Sequence, residues 1–327
     1  MNDESRGNPV SQLRADGTLR HLLTLETLPR SIIEQLLERA QGFVRAPGER
    51  ASFAPILAGF SVANIFTEPS TRTRVSFELA AKRLGAEVVN LEIQLSSRVK
   101  GESMLDTVFT LQALHVDALV IRDAEPGVHG LVAANAAPHV SVLSAGEAHV
   151  SHPTQGLLDA LTVRQVKPRV EALAVAIVGD VQHSRVARSA WHVFRALGLK
   201  DLRIVAPPAF MPAKEEFEGC SRHTTLRTGL QDADVVMMLR IQKERMSQAA
   251  FPDADRYFAK YGLTPERLAL ARPDAIVMHP QPMNRGVEIA SDVADGRHSV
   301  IRNQVTNGVA VRMAVLATAL ESGRHPG

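Results

Sequence analysis

The stretch 61-SVANIFTEPSTRTRVSFELAAKR-83 decides how the rest of the chain is read. Its first six residues are a short apolar run, as in a buried strand. Ser70 or Thr71 then suits the N-cap of a helix running to about Arg83. Strand, polar turn and helix, in that order, are the building unit of a parallel α/β sheet. The turn carries Glu68, Ser70, Thr71 and Thr73, and it places Arg72 and Arg74 where the helix begins. The first N–H groups of a helix have no partner within it, and together with the dipole they favour an anion. For an isolated Ser-Thr pair, a plain cap with arginines in solvent is the commoner meaning. Cations at this end oppose the dipole unless an anion compensates them. The turn therefore reads as an anion site, and phosphate fits it: hydroxyls can donate to its oxygens and an arginine can add a bidentate contact.

Working outward, the same alternation repeats. Further strand-like runs are 87-EVVNLEI-93, 117-DALVIR-122 and 140-VSVLSA-145. A second series comprises 173-LAVAIVGD-180, 201-DLRIVAP-207, 233-ADVVMMLR-240 and 274-DAIVMHP-280. Each is separated from the next by room for a helix, which predicts an α/β chain with two parallel sheets flanked by helices. GLLDALTVRQVKPRVEAL, from Gly156, reads as a helix and linker between the series. Leu22 to Val44 carries Leu and Ile at helical spacing, with Pro29 in its first turn. The segment 303-NQVTNGVAVRMAVLATALES-322 is a helix with no strand of its own. The first 20 residues are polar, lack periodicity and read as a flexible arm.

Composition bounds the function. A chain of 327 residues with 45% hydrophobic and 22% charged residues is an ordinary globular protein of two-domain size. A net charge of +2, without a basic block, gives no reason to expect nucleic acid. The single cysteine, Cys220, excludes an internal disulfide framework and fits a reducing cytoplasm. The polar start is unlike a signal peptide, and no run of apolar residues is long enough for a membrane span.

In parallel sheets, ligands bind beyond the carboxyl ends of strands, so those positions matter most. Ser96, Arg98 and Lys100 share a Gly-containing loop before a helix, which by itself reads as surface charge. In 149-HVSHPTQGLLDAL-161, Pro153 opens a helix, and His152 and Gln155 can face one ligand, with hydrogen bonding to a carbonyl as the functional reading. No metal site is expected, because no second histidine follows at helical spacing. In 178-VGDVQHSRVARSA-190 the dinucleotide fingerprint is absent, so no nicotinamide cofactor is expected; Arg185 and Arg188 suit an anion. Arg240 and Gln242 follow a strand in LRIQKER. In 278-MHPQPMNRGVEI-289, Gln281 lies between prolines and is expected to be extended, aiming backbone carbonyls at an amide N–H₂. The set is rich in Arg, Lys, His, Gln, Ser and Thr, with Glu68 its one acid. It suits binding of phosphate and carboxylates, with catalysis by positioning and electrostatics and without a covalent intermediate.

Six motifs in one order, with Arg122 between the second and third, resemble the aspartate and ornithine carbamoyltransferases: Phe66 to Glu78, Ser96 to Glu102, HPTQ at 152–155, HSRVARS at 183–189, LRIQKER and MHPQPMNRGVEI. The resemblance runs from about His21 to about Ser322. Ornithine members resemble H-C-L-P at the last motif and carry D-x-W-x-S-M-G. This chain has His279-Pro280-Gln281-Pro282, and its only tryptophan, Trp191, lies in SAWHVF. Within the family it is similar to the aspartate carbamoyltransferase catalytic chains. Two departures are Gln281, where many members have Leu or Gly, and SAGEAHVSHPTQ, where N-A-G-D-G is commoner.

The resemblance implies a carbamoyl-phosphate-binding domain over 21–155 plus 305–327, with the C-terminal helix returning to it, and an aspartate-binding domain over 156–304. It implies that Ser70, Thr71, Arg72 and Thr73 hold phosphate, and that Arg122 bridges the phosphate and the carbonyl oxygen. His152 and Thr73 would polarise that carbonyl, while Gln155 and the Pro280–Gln281 backbone hold the carbamoyl N–H₂. Ser96 and Lys100 would enter a neighbouring subunit's site, making a homotrimer with shared active sites. Lys100, Arg185, Arg240 and Gln242 would bind L-aspartate, and Glu68 would pair with arginines of the second domain on closure. The implied reaction gives N-carbamoyl-L-aspartate and phosphate in pyrimidine (UMP) biosynthesis, with no cofactor. A dihydroorotase-like or regulatory chain is the implied larger partner. The alternatives are a carbamoyltransferase for another amine such as ornithine, and a non-catalytic phosphate-binding scaffold subunit.

Overall fold

The structure is a computed structural model that describes residues 10–46, 48–50, 52–92, 103–241 and 254–323. The chain divides into two compact units, Met1–Leu157 with Thr306–Gly327, and Leu158–Val305. In the first, the elements are α1 (Arg30–Phe43), β1 (Ser61–Phe66), α2 (Thr71–Arg83), β2 (Glu87–Glu92), α3 (Met104–Ala113), β3 (Ala118–Asp123), α4 (Val128–Ala134), β4 (Ser141–Glu147) and the start of α5 (Pro153–Val166). The sheet is parallel with order β2-β1-β3-β4. In the second unit come β5 (Ala174–Val178), α6 (Arg185–Ala196), β6 (Asp201–Val205), β7 (Ser221–His223), α7 (Leu226–Leu230), β8 (Val235–Met238), α8 (Ala254–Tyr261), α9 (Pro265–Leu268), β9 (Ile276–Met278) and α10 (Ser291–Ala294). Its sheet is also parallel, with order β7-β6-β5-β8-β9. A last helix, α11 (Ile301–Glu321), ends in the first unit.

Strands such as β5 are buried along their whole length, as parallel strands covered on both faces must be. In the first unit, Ala63, Ile65, Leu119, Ile121 and Val142 of the sheet pack with Val108 and Leu111 of α3 and Val128 and Val132 of α4. Burying each larger aliphatic side chain contributes about 1.5–3 kcal/mol. Both sheets are started by one device. Asp117, just before β3, accepts the Ser61 N–H of β1 at 2.8 Å; Asp234, just before β8, accepts the Ala174 N–H of β5 at 2.9 Å. Buried Asn64 donates to Asn90 Oδ1 at 2.9 Å, directly across the β1–β2 pair.

Three sequence expectations need correction. The helix expected from Leu22 starts only at Arg30, with Pro29 as its N-cap. Leu22 instead joins β4: its N–H donates to Val142 O at 2.9 Å, and its carbonyl accepts from Ser144 N at 2.8 Å. The flexible arm expected over 1–20 is ordered from Val10; residues 1–9 lie outside the described residues. Gln12 is buried and fixes this segment, its Oε1 accepting from Leu23 N at 2.6 Å and Thr24 N at 3.1 Å. Arg14 donates to Ala319 O of α11 at 3.0 Å. Burial, with Arg20 and Arg14 nearby, pushes His21 down to about 3, so it stays neutral and accepts the Val142 N–H at 2.9 Å. Lastly, β7 was not expected; its three polar residues form an edge strand that pairs with Arg203 to Val205 and carries no apolar run. The helix α11 does return to α1, through a bond from Arg39 to Thr318 Oγ1 at 3.3 Å and an Arg39–Glu321 ion pair.

Gly85, after α2, has φ +85°, and a β-carbon there would sit 2.6 Å from Pro55 Cβ. Replacing it with alanine adds both left-handed strain and a clash. We expect Gly85→Ala to lower the unfolding free energy by about 1–3 kcal/mol, read by denaturant titration; unchanged stability would show that this approach is not tight.

Candidate active site

In each sheet the strand order reverses once, between β1 and β3 and between β5 and β8. A crevice opens beyond the strand ends at such a point. In the first unit, β1 and β3 pair so that Phe66 lies opposite Arg122. Thr67 beyond β1 donates to the Arg122 carbonyl from both its N–H, at 3.0 Å, and its hydroxyl, at 3.2 Å. The Arg122 side chain is largely buried. Its Nη1 donates to Ala145 O at 3.3 Å, and its Nε lies 3.1 Å from Glu68 Oε2. Glu68 thus pairs with Arg122 inside the first unit.

The N-terminus of α2 adjoins this strand pair. Ser70 is the N-cap but makes no side-chain cap hydrogen bond. No acid lies in the first turn, whereas Lys82 and Arg83 occupy the last turn, where cations suit the dipole. Thr71 and Arg72 are exposed, and Thr73 is buried. A helix start with two arginines, hydroxyls and no acid is set up for an anion. Pro153 opens α5 as expected, and the His152 carbonyl accepts from Gln155 N at 2.9 Å and Gly156 N at 3.2 Å. His152 and Gln155 are both buried. The first unit thus supplies Glu68, Ser70, Thr71, Arg72, Thr73, Arg122, His152 and Gln155 from the ends of β1 and β3 and the starts of α2 and α5.

The turn joining β4 to α5 rests on a pair that was not foreseen. His129 of α4 is fully buried; its Nε2 donates to Ile121 O at 2.9 Å, and its Nδ1 lies 3.2 Å from Glu147 Oε2. Glu147 Oε1 accepts the Gly127 N–H at 2.7 Å. Burial pushes this carboxyl up, but contacts with His129 and the backbone N–H of Gly127 and His129 outweigh that and leave it below the ordinary range. Its stabilising contribution is complete above that range and is lost as pH falls through the lowered value.

In the second unit the residues after β5 and β8 meet at the reversal. Gly179 has φ +131°, and a β-carbon there would lie 3.1 Å from Leu239 Cβ, so glycine permits the approach of the two strand ends. Asp180 accepts the His183 N–H at 3.2 Å, and Ser184 caps α6 through the Ala187 N–H at 3.1 Å. Arg185 is the first residue of α6 and is buried, in a first turn without acids. Arg188 is taken up structurally by the Gln182 carbonyl and Glu216. Arg240 is half-buried just past β8. Ser96, Lys100 and Gln242 lie outside the described residues.

Past β9, Gln281 is not extended as its following proline suggested. Its φ is +55°, because its N–H closes a tight turn onto His279 Nδ1 at 2.9 Å. The other ring nitrogen of His279 meets Glu288 Oε1 at 3.2 Å, with both side chains fully buried. Asn284 donates to Glu288 Oε2 at 3.3 Å and to Ile241 O, next to Arg240, at 3.2 Å. The His279 N–H donates to Gln304 Oε1 at 2.9 Å, and Gln304 reaches Asp159 at 2.7 Å. This network joins the Pro280–Gln281 turn to the strand end carrying Arg240. Sequence reading missed it, since the i, i+4 spacing of Asn284 and Glu288 carries no helical pattern to flag it.

Comparison with known proteins gives the fold and site their class. Residues 20–165 match the carbamoyl-P binding domain of aspartate/ornithine carbamoyltransferases, and residues 171–319 match the Asp/Orn binding domain. The chain belongs to the aspartate/ornithine carbamoyltransferase family. It is similar to aspartate transcarbamoylase from Trypanosoma cruzi, solved with carbamoyl aspartate and phosphate, at 30% identity over 94% of this chain and 98% of that one, with a TM-score of 0.82. It is also similar to ornithine carbamoyltransferase from Pyrococcus furiosus, at 28% identity over 92% and 97%, TM-score 0.82. The ornithine carbamoyltransferase of Thermus thermophilus matches at 25% over 92% and 98%, TM-score 0.81.

Glu288 accepts from the Asn284 side chain and backbone and faces His279, without solvent. Glu288→Ala strands these donors, so we expect a loss of about 2 kcal/mol or more in unfolding free energy. Faster hydrogen exchange at residues 279–284 would accompany it; unchanged exchange would show that the network does not hold the turn.

Proposed function

We propose that this chain transfers the carbamoyl group of carbamoyl phosphate to the α-amine of L-aspartate, giving N-carbamoyl-L-aspartate and phosphate. The observation that carries the acceptor is Arg240, set just past β8 at the reversal of the second sheet. A guanidinium there suits a side-chain carboxylate and repels the ammonium of ornithine. Arg185 and Gln242 complete the acceptor site, with Lys100. The T. cruzi relative has been solved with aspartate and phosphate and with N-(phosphonacetyl)-L-aspartic acid, which supports this choice.

Ser70, Thr71, Arg72 and Thr73 hold the phosphate at the start of α2. Arg122 spans phosphate and carbonyl oxygen, and His152 and Thr73 donate to that oxygen. Gln155 and the Pro280–Gln281 backbone orient the carbamoyl N–H₂. The neutral amine attacks the carbonyl carbon and a tetrahedral intermediate forms; the bond between that carbon and the phosphate oxygen then breaks, the electron pair leaves with phosphate, and the proton lost from the nitrogen passes to the departing phosphate. Donors aimed at the developing oxyanion lower the barrier without a covalent intermediate. Ser96 and Lys100 come from a neighbouring subunit in a homotrimer, and Glu68 contributes to domain closure. Residues 21–155 plus 305–327 form the carbamoyl-phosphate domain and 156–304 the aspartate domain. The product enters pyrimidine synthesis in the cytoplasm, in a trimer that assembles further with a dihydroorotase-like or regulatory chain.

Carbamoyl transfer measured side by side with aspartate and ornithine tests the reading; turnover with ornithine alone would overturn the acceptor. Arg72→Ala should lower kcat by about 10²–10³-fold while circular dichroism stays unchanged. Arg240→Met should raise the KM for aspartate by about tenfold or more.

A further inference from the structure

The β3–β4 ladder is irregular where the site needs it most. Ile121 pairs with Ser144, but the next pair is Asp123 with Glu147, so the register shifts at Arg122. Such an irregularity re-aims side chains and leaves backbone groups without ladder partners. The extra residue lies on β4, where the Gly146 N–H turns to Ser144 Oγ at 3.2 Å. His129 braces the two strands beside it. One ring nitrogen takes the Ile121 carbonyl, one residue before Arg122, and the other faces the carboxylate of Glu147, the last residue of β4. The imidazole is thus a rigid strut between the two strand ends.

Beyond Glu147 the chain must turn to deliver His152. Ala148 does so with φ +41°, a left-handed conformation that costs a residue bearing a β-carbon and persists only when its surroundings fix it. The turn is closed by Glu147 N–H to Ser151 O at 2.8 Å and by Ala148 N–H to Asp123 O at 2.9 Å. Arg122 is held apart from this turn, through Ala145 O inside β4. We propose that His129 and Glu147 are positioning residues for carbamoyl transfer, clamping the strained 147–151 turn so that His152 is held at the reacting carbonyl. This rests on the reading above that His152 acts on the carbamoyl group. Neither His129 nor Glu147 is in that reading's substrate set. The phosphate cradle at α2 is built on a different strand end.

The test uses the full-length protein and whichever amine the wild type accepts, because His152 faces the same carbonyl with either acceptor. His129→Gln can reach only one of the two oxygens, and Glu147→Gln loses the charge. Each should lower kcat about 10–100-fold, while inhibition by inorganic phosphate changes by less than about threefold. Ala148→Gly, which relieves the left-handed strain, should recover about three- to tenfold of the kcat lost in Glu147→Gln. If either variant fails to fold, Glu147→Asp keeps the charge, shortens the reach and should show the same split at smaller size. The proposal is overturned if kcat stays within about twofold of wild type, or if phosphate inhibition weakens in step with kcat. A wild type that transfers to neither amine would defeat both this and the functional reading, whereas a working wild type with unaffected variants defeats only the clamp.

Discussion

The pairing of β1 with β3 constrains most of the first unit. Parallel neighbours cannot be joined by a tight hairpin, so each connection must cross over the sheet. The chain leaves β1 for β2 on one side, then returns to lay β3 against the other edge of β1. A crevice opens beyond two strand ends at such a reversal, and the ladder sets Arg122 opposite Phe66 there. The second unit repeats the arrangement with β5 and β8. Asp117 and Asp234 begin the two pairings in the same way, each anchoring the first N–H of the neighbouring strand.

The strain is also arranged alike. β4 and β9 are edge strands of their sheets. Each is followed by a left-handed residue other than glycine, Ala148 and Gln281. Near each stands a buried histidine–glutamate pair, His129 with Glu147 and His279 with Glu288. The chemistry differs in detail. In the second pair a ring nitrogen accepts the N–H of the strained residue itself, whereas in the first both nitrogens face oxygens on the strand ends. Irregular backbone at a strand end exposes peptide groups that the ladder no longer satisfies, and a buried polar pair supplies partners without water.

Arginines fall into contrasting classes. Arg188, with Glu216 and the Gln182 carbonyl, supports the fold, and Arg312 is wholly buried over the Phe77 ring, where desolvation lowers it to about 10. Arg72 stands exposed at the start of a helix whose dipole opposes it, with no acid in that turn. At such an end the dipole, the free N–H groups and an arginine all favour an anionic ligand.

Much of this was written in the chain. Among the described residues, eight of the nine strands stand out as apolar runs; those covered on both faces, such as β5, must be apolar along their length, whereas β2 at the sheet edge stays largely exposed. The α2 anion site is legible for a local reason, since cap, hydroxyls and arginines lie within one turn. Tertiary structure alone decided the strand orders, the docking of residues 10–28 onto β4 and α11, and the clamps behind His152 and Gln281. Those depend on partners that no local pattern pairs: Gln12 with Leu23, His129 with Ile121 and Glu147, Asn284 with Ile241. Local propensity fixes which segments become strands and helices. Which carbonyl a buried histidine meets is settled only when the sheet has formed and excluded water, because the cost of an unmade bond is incurred only there.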